Sequence, residues 1–200
     1  VSSVKKKNNC LDESVSKSDL NIEYLNFSEI FFSDKCMSFI QSGKIEIHTI
    51  DDQKNLLLAT AGDIKKYRGQ VDPNPQSLSS IYGKIISINL KNNKYEIFSI
   101  GHRNILGLYT EGGLILSTEN GPKGGDEINK IEKDKNYGWN IASYGETYSK
   151  LNDETKSDYL KSHKKYGFKE PIFSFIPSIG ISEIIRLGNN FSTHWQNNFL

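Results

Sequence analysis

The amino-acid sequence predicts an all-β fold built from antiparallel hairpins. Segments that alternate apolar and polar residues recur along the chain, and short turns rich in Asn, Asp and Gly join them. No regular helices separate these segments, as they would between the strands of a parallel sheet. From this periodicity alone, a sandwich, a barrel and a propeller all remain open.

The strands follow one another in hairpins. Residues 44–50 alternate with period two, and a polar turn leads from them into residues 55–60. Asn92 and Asn93 form the turn of a second hairpin, and the pair Gly112-Gly113 forms that of a third. The remaining predicted strands lie at 83–90, 94–100, 106–109, 114–118, 172–176 and 183–187.

Two polar stretches interrupt this series. Residues 63–80 form one long loop, and residues 148–171 form another. Within the second, we expect residues 157–163 to form one or two helical turns. Loops of this length in a compact domain are usually functional or insertional, and we interpret residues 149–170 as a loop insertion.

The composition is that of a globular protein and argues against two classes of partner. Apolar residues make up 36% of the sequence, and 10 Tyr and 10 Phe supply large side chains to bury. The formal net charge of +1 provides no strong field for binding nucleic acid. Because the chain contains no run of about 18 apolar residues, we predict no membrane span.

The two cysteines leave the cellular compartment open. Cys10 and Cys36 form a disulfide if the protein is exported, or are two buried thiols if it is not. The chain begins with Val1 rather than Met and stops at Leu200, inside a predicted strand. We therefore expect a longer natural protein, of which this chain is a piece cut at both ends.

Residues that carry chemistry are concentrated between positions 101 and 148. The motif Gly-His-Arg-Asn at 101–104 places an imidazole, a guanidinium and an amide directly after a strand. The fork of donors on Arg103 suits carboxylates and planar anions, and the amide of Asn104 both donates and accepts. The alternative is that Arg103 and Asn104 only join neighbouring sheets by hydrogen bonds.

A Gly-rich, acidic motif with the sequence ENGPKGGDEIN follows at 119–129. Its glycines allow backbone carbonyls to point into a site, and Asp126 and Glu127 offer hard oxygens, a combination typical of calcium ligation. The alternative is a tight turn whose carboxylates are solvated. In a third motif, KNYGW at 135–139, Trp139 is expected to be a buried aromatic that holds sheets together.

Together, GHRN, ENGPKGGDEIN and KNYGW resemble the glucose/sorbosone dehydrogenase family, which includes soluble aldose dehydrogenases. Further similarity lies in LLLATAGD at 56–63, NPQSLSSIYGKIISIN at 74–89 and EPIFSFIPS at 170–178, so the resemblance covers roughly residues 25–200. It implies a six-bladed β-propeller with four-stranded antiparallel blades. Residues 1–200 would then be a single incomplete propeller domain of about three and a half to four blades.

The resemblance also implies a chemistry. Members of the family bind pyrroloquinoline quinone (PQQ) and calcium, and they oxidise the C1 hydroxyl of an aldose sugar by hydride transfer to the quinone. A His acts as the general base, and electrons pass to an external acceptor. The resemblance further implies export to the periplasm or the cell exterior, which would suit a bridge between Cys10 and Cys36.

The family's functional positions fall into two groups, cofactor contacts and calcium ligands. The cofactor contacts would be Arg103, Asn104 and Tyr148. The calcium ligands would be Gly121 and Pro122, through their carbonyls, at the active-site ion, and Glu127 and Tyr137, the latter through its carbonyl, at a second, structural ion.

The general base is missing from this pattern. The family's H-x-G-G-R motif corresponds to residues 39–45, where the His position falls on Ile40 or Gln41, neither of which accepts a proton at neutral pH. His48 is nearby, but alternation places it on the polar face of its strand, and we predict a surface residue. Two hypotheses follow: a PQQ-dependent sugar dehydrogenase, or a non-catalytic propeller of the same family that binds a sugar, calcium or a partner protein.

Overall fold

The computed structural model describes residues 1–7, 10–33, 43–50, 52–62, 74–147 and 159–200. Within these ranges the chain forms eleven β-strands and one short 3₁₀ turn, and no α-helix. The strands make three antiparallel sheets, which we call sheets 1, 2 and 3. The all-β prediction is therefore confirmed.

Each sheet is a meander whose strands keep their chain order. Sheet 1 contains β1 (Ser2–Lys7), β2 (Cys10–Lys17) and β3 (Ser28–Phe32). Sheet 2 contains β4 (Ile45–Ile50), β5 (Gln53–Ala59), β6 (Lys84–Asn89) and β7 (Tyr95–Ile100). Sheet 3 contains β8 (Ile105–Glu111), β9 (Leu114–Glu119), β10 (Asp126–Lys130) and β11 (Phe173–Phe175).

Sheet 2 lies between the other two and is buried on both faces. On β5, Leu56 and Leu58 belong to a core cluster that includes Val15 and Phe31 of sheet 1. Leu57, between them, belongs to a second cluster with residues of sheet 3. Because successive side chains of a strand point to opposite faces, an unbroken apolar run is what a strand covered on both sides requires.

The predicted glycine turn closes the β8–β9 hairpin. Gly112 and Gly113 have φ angles of 54° and 82°. Two positive φ values in a two-residue loop match the right-handed twist of the flanking strands, and glycine adopts them without a steric penalty.

Sheet 1 is absent from the sequence-based prediction. Its first strand contains the run Lys5-Lys6-Lys7 and lies at the edge of the sheet, so no apolar alternation marks it. Among the side chains of this sheet that the structure describes, Val15, Ile30 and Phe31 belong to the core cluster. The prediction failed because a strand with few core contacts carries little periodic signal.

Two predicted elements need correction. Residues 183–187 do not form a regular strand; two reciprocal backbone hydrogen bonds join Ile185 to Leu200, around a single bridge between Arg186 and Phe199. The described residues of 157–163 are not helical, because Leu160 pairs with Ala142 in a parallel bridge. The 3₁₀ turn follows instead, at Lys164–Tyr166.

The predicted position of His48 also differs from the structure. Alternation does place it on the same face of β4 as Lys44, but that face turns toward sheet 3 and the imidazole is half-buried, 6.5 Å from the ring of Phe98. This burial lowers the pKa of His48. His48 is therefore a partly exposed residue that packs toward sheet 3, and not a fully solvated one.

Within the described ranges, the structure contains no helix with the length and apolar character that crossing a membrane requires.

Candidate functional site

Three loops converge where sheets 2 and 3 meet: the segment after β5, the β7–β8 connection and the β9–β10 connection. The N–H of Gly62, after β5, donates to the carbonyl of Arg103 at 2.6 Å. A Cβ at Gly62 would lie 1.9 Å from the carbonyl oxygen of His102, so only glycine permits this approach.

Arg103 is held on several sides. Its Nη1 donates to the carbonyl and the side-chain oxygen of Asn120, at 2.6 and 3.3 Å. Its guanidinium lies 5.3 Å from the ring of Trp139, a cation–π contact. Trp139 is fixed in turn by a hydrogen bond from its Nε1 to the carbonyl of Gly62. The site therefore orients this guanidinium before any ligand arrives.

Glu119, at the end of β9, joins several residues of the site through its carboxylate. Its carboxylate accepts hydrogen bonds from Nδ1 of His102 at 2.8 Å, the backbone N–H of Arg103 at 3.1 Å and Nδ2 of Asn129 at 3.1 Å. Burial would raise the pKa of Glu119, but His102 and these donors hold it below its ordinary value.

Ser99, His102 and Glu119 have the connectivity of a nucleophilic triad, since Ser99 Oγ lies 2.7 Å from Nε2 of His102. However, Ser99 is 1% and His102 0% exposed, and the imidazole stacks on the ring of Tyr137. No substrate reaches a buried hydroxyl of this kind. The three residues therefore form a structural hydrogen-bond network, which ends at the backbone N–H of Arg103.

Asn104 is buried, and its side-chain oxygen has no hydrogen-bond partner among the described residues. The backbone carbonyl of Asn104 accepts the N–H of Asn120, and this bond joins the motif at 101–104 to the Gly-rich loop. A buried acceptor without a partner is uncommon in native proteins and indicates a position that a ligand or water can satisfy.

Asp126 is neither a solvated carboxylate nor an available metal ligand. It is fully buried, and one oxygen accepts the N–H of Gly121 at 2.9 Å while the other accepts the N–H groups of Ile179 and Ile181. Burial would raise its pKa, but these bonds and one from Ser178 lower it below the ordinary value. Asp126 therefore closes the Gly-rich loop.

The Gly-rich loop folds back on itself so that carbonyls crowd Gly121. A Cβ at this glycine would lie 2.3 Å from the carbonyl oxygen of Gly125 and 2.4 Å from that of Gly124. Only glycine allows several carbonyl oxygens to approach one backbone position in this way, and such clusters suit hard cations.

A cavity of about 20 Å³ lies behind this loop. This volume holds one water molecule or one cation. The candidate residues that line it are Arg103, Gly121, Pro122, Glu127 and Tyr137, together with Glu119 and His163. Five positions singled out from the sequence are thus brought to one place.

Glu127 is a carboxyl of the cavity whose pKa is raised. Burial, and next the charge of Glu119, raise the pKa of Glu127 to about 8. Asn129 bridges the two acids, since its Nδ2 lies 3.2 Å from Oε2 of Glu127 and 3.1 Å from Oε1 of Glu119. Without a compensating positive charge, Glu127 therefore holds a proton that a bound cation would displace.

The hydroxyl of Tyr137 is committed elsewhere. It donates to the carbonyl of Lys130 at 2.7 Å and accepts the N–H of Glu132 at 2.9 Å. The hydroxyl is therefore not available as a ligand, and the ligand role that the resemblance implies for the backbone carbonyl of Tyr137 stays a prediction.

Several sequence-based assignments fall outside the described residues. These are the cofactor contact Tyr148, the Ile40 and Gln41 positions and the pairing of Cys10 with Cys36. Conversely, the roles of Glu119, Asn129 and His163 were not predicted. Glu119 and Asn129 are visible as the ends of the Gly-rich motif, but no local signal connects His163 with it.

A family model described as Glucose / Sorbosone dehydrogenase matches residues 3–200. Among curated proteins, the aldose sugar dehydrogenase YliI of Escherichia coli is 30% identical over 139 residues, covering 62% of this chain and 36% of that protein. The quinoprotein glucose dehydrogenase B of Acinetobacter calcoaceticus is 35% identical over 127 residues, covering 52% and 27% respectively. The chain thus spans about a third of the length of these relatives.

Solved structures agree over nearly the whole chain. A glucose dehydrogenase matches with a TM-score of 0.76 and 25% identity, covering 98% of this chain and 59% of that one. The apo-form of the soluble aldose sugar dehydrogenase from Escherichia coli has the same fold, with a TM-score of 0.73, 24% identity, and 98% and 58% coverage.

Proposed function

Because the chain belongs to the glucose/sorbosone dehydrogenase family, we propose that it is part of a PQQ-dependent aldose sugar dehydrogenase. The observation that carries this proposal is the convergence of Arg103, the carbonyl-rich Gly121–Pro122 loop and Glu127 at one cavity. The names of the curated relatives, an aldose sugar dehydrogenase and a quinoprotein, support the same chemistry.

We further propose that the sheets are blades of a six-bladed propeller. Two of them have four antiparallel strands, as such blades require. A chain that covers 59% of a solved relative would contain about three and a half of six blades, close to the three sheets described here. Residues 1–200 are then one incomplete propeller domain, with an insertion at 149–170.

The residues present fit a bound quinone carrying carboxylates. The oriented guanidinium of Arg103 offers charge-assisted donors to such a group, and Asn104 offers a buried oxygen without a partner among the described residues. The carbonyls of Gly121 and Pro122 would hold a calcium ion beside it, and Tyr148 would complete the contacts. When bound, PQQ supplies the acceptor for the hydride leaving the sugar C1, and an external acceptor then takes the electrons.

Glu127 and the carbonyl of Tyr137 would hold a second calcium ion in the cavity. The buried carboxyl of Glu127, which lines the cavity and accepts a hydrogen bond from Asn129 on one oxygen, supports a cation site at this position. We place the protein in the periplasm or outside the cell, as expected for the family.

The alternative is a non-catalytic propeller that binds sugar, calcium or a protein partner. It is favoured by Ile40 or Gln41 at the position of the general base. Among the described histidines near Arg103, both His102 and His163 are buried, so neither serves as a base toward a sugar.

The test is a PQQ titration of the full-length protein with calcium present, following the melting temperature and then sugar-dependent bleaching of a redox dye. We expect a stabilising shift and bleaching. Arg103→Lys removes the fork of donors and should weaken PQQ binding about tenfold or more, because a hydrogen bond to a charged group contributes about 1.5–3 kcal/mol.

Lys123→Met, at an exposed position of the same loop, is the matched control and should bind PQQ as the unmodified protein does. A shift without bleaching at any aldose would favour the non-catalytic alternative. No shift at saturating PQQ would refute the quinone site.

A further inference from the structure

His163 lies at the cavity beside Glu127, although it comes from a different part of the chain. Its side chain is 1% exposed, and Nε2 lies 3.7 Å from Oε1 of Glu127. Nδ1 is buried and has no hydrogen-bond partner among the described residues. At 3.7 Å, the contact of Nε2 with Glu127 is longer than a hydrogen bond, which leaves room for a cation between the two atoms.

The ring is positioned by packing rather than by its own polar atoms. The centre of the Tyr144 ring lies 5.2 Å from that of the imidazole. The backbone carbonyl of His163 accepts the N–H groups of Tyr166 and Phe168. A Cβ at Gly138 would lie 3.1 Å from Cδ2 of His163, so glycine at that position makes room for the imidazole. The fold therefore holds His163 at the cavity wall.

The cavity presents donors of two kinds to one small volume. Glu127 offers carboxylate oxygen and His163 offers imidazole nitrogen, and both residues line the cavity. Two ligands at about 2.0–2.4 Å from the same ion are roughly 3–4 Å apart. The 3.7 Å between Nε2 of His163 and Oε1 of Glu127 matches that separation.

We propose that His163 is a ligand of the cation that Glu127 binds, which makes this a mixed oxygen and nitrogen site for one divalent cation. The inference rests on the structural cation site of the proposed function and adds to it a nitrogen ligand. Because imidazole suits transition metals and oxygen donors suit Ca²⁺ and Mn²⁺, the site should accept Mn²⁺ as well as Ca²⁺.

The test uses Mn²⁺ alone, without quinone, on the full-length protein. Electron paramagnetic resonance counts bound Mn²⁺, and electron spin-echo modulation detects nitrogen bonded to it. We expect a nitrogen coupling of imidazole type that changes to the ¹⁵N pattern when histidine is labelled with ¹⁵N. This measurement needs no variant and so does not depend on whether a variant folds.

Variants then identify the histidine. His163→Gln should remove the nitrogen coupling and weaken Mn²⁺ binding at least about tenfold, since loss of even an outer partner of a metal ligand costs 10–100-fold. His194→Gln, at an exposed position, is the control and should leave both unchanged. Glu127→Gln should abolish binding at the site.

The outcomes separate the two proposals. Bound Mn²⁺ without nitrogen coupling, or coupling that persists in His163→Gln, would overturn the role of His163 and leave the cation site standing. Failure of both Mn²⁺ and Ca²⁺ to bind would overturn the cation site together with this inference. PQQ binding, measured separately, reports on the dehydrogenase proposal.

Discussion

At the scale of single residues, the site shows how two adjacent buried carboxyls acquire opposite pKa shifts. Glu119 accepts hydrogen bonds from four donors, on His102, Arg103, Ser117 and Asn129, and its pKa lies below the ordinary value. Glu127 shares one of those donors, Asn129, but is otherwise desolvated beside a like charge, and its pKa rises to about 8. Donors, rather than burial alone, decide which carboxyl stays ionised.

Glu13 on β2 provides a pH test at this scale, away from the proposed cation site. Both of its carboxyl oxygens are buried without a partner among the described residues, and desolvation raises its pKa from 4.5 to about 8. Between these pH values the folded protein holds a proton that the unfolded chain has lost. Stability contributed by the protonated group is therefore complete below pH 4.5 and is lost as the pH rises toward about 8.

Glu13→Gln should remove this loss. We expect the unfolding free energy of the unmodified protein to decrease between pH 5 and pH 8, relative to the variant, by an amount on the order of a few kcal/mol. Urea unfolding at several pH values measures the difference. Glu23→Gln, at an exposed position, should keep the pH profile of the unmodified protein, and identical profiles for all three proteins would contradict the prediction.

At the scale of elements, the loops at the site depend on close backbone contacts. Gly62 joins the end of sheet 2 to two residues of the site. Its N–H donates to the carbonyl of Arg103, and its carbonyl accepts the indole N–H of Trp139. Lys84 fixes the neighbouring loop, because its buried Nζ donates to the carbonyls of Pro75 and Tyr82, each at 2.7 Å. The geometry of Arg103 is thus set by elements on both sides of the sheet interface.

Gly62→Ala tests this dependence. Its Cβ would meet the carbonyl oxygen of His102 at 1.9 Å and Cα of Gly83 at 2.8 Å, and both atoms belong to the backbone. We expect a loss of about 3 kcal/mol of unfolding free energy, at the upper end of overpacking effects. Denaturant unfolding measures it. Gly188→Ala, where nothing lies within 4 Å of the added methyl, should change stability by no more than about 0.5 kcal/mol.

At the scale of the whole molecule, sheet 2 contributes to both core clusters. Leu58 packs with Phe31 of sheet 1, and Leu57 packs with Ile105 of sheet 3. Because one sheet stabilises both neighbours, we expect the three sheets to unfold in a single cooperative transition.

Phe31→Ala should show this cooperativity. Phe31 is buried in the core shared by sheets 1 and 2, and its ring packs edge-on against Tyr95 at 5.2 Å. The variant should lose about 3–5 kcal/mol of unfolding free energy. The fluorescence of Trp139, near sheet 3, should report the same unfolding midpoint as circular dichroism. Both proteins carry Trp195→Phe, so that Trp139 is the fluorophore observed. Phe32→Ala, at a side chain 37% exposed, is the control. A Trp139 midpoint that Phe31→Ala leaves in place would contradict a single transition.

The sequence by itself determined the hairpins of sheets 2 and 3 and the clustering of the motifs at 101–104 and 119–129. These features depend on local causes: alternation with period two, glycines at positive φ and turn-forming asparagines. It did not indicate sheet 1, whose first strand is a lysine-rich edge, nor that Asp126 begins a strand.

Only the tertiary structure decided how the candidate residues are used. It assigned Asp126 to closing a loop, placed Glu119 beneath Arg103 and brought His163 to Glu127 from a segment distant in the sequence. Contacts of this kind depend on how whole sheets and loops pack, and local periodicity carries no information about them. For the same reason, the burial that raises the pKa of Glu127 becomes visible only in the folded chain.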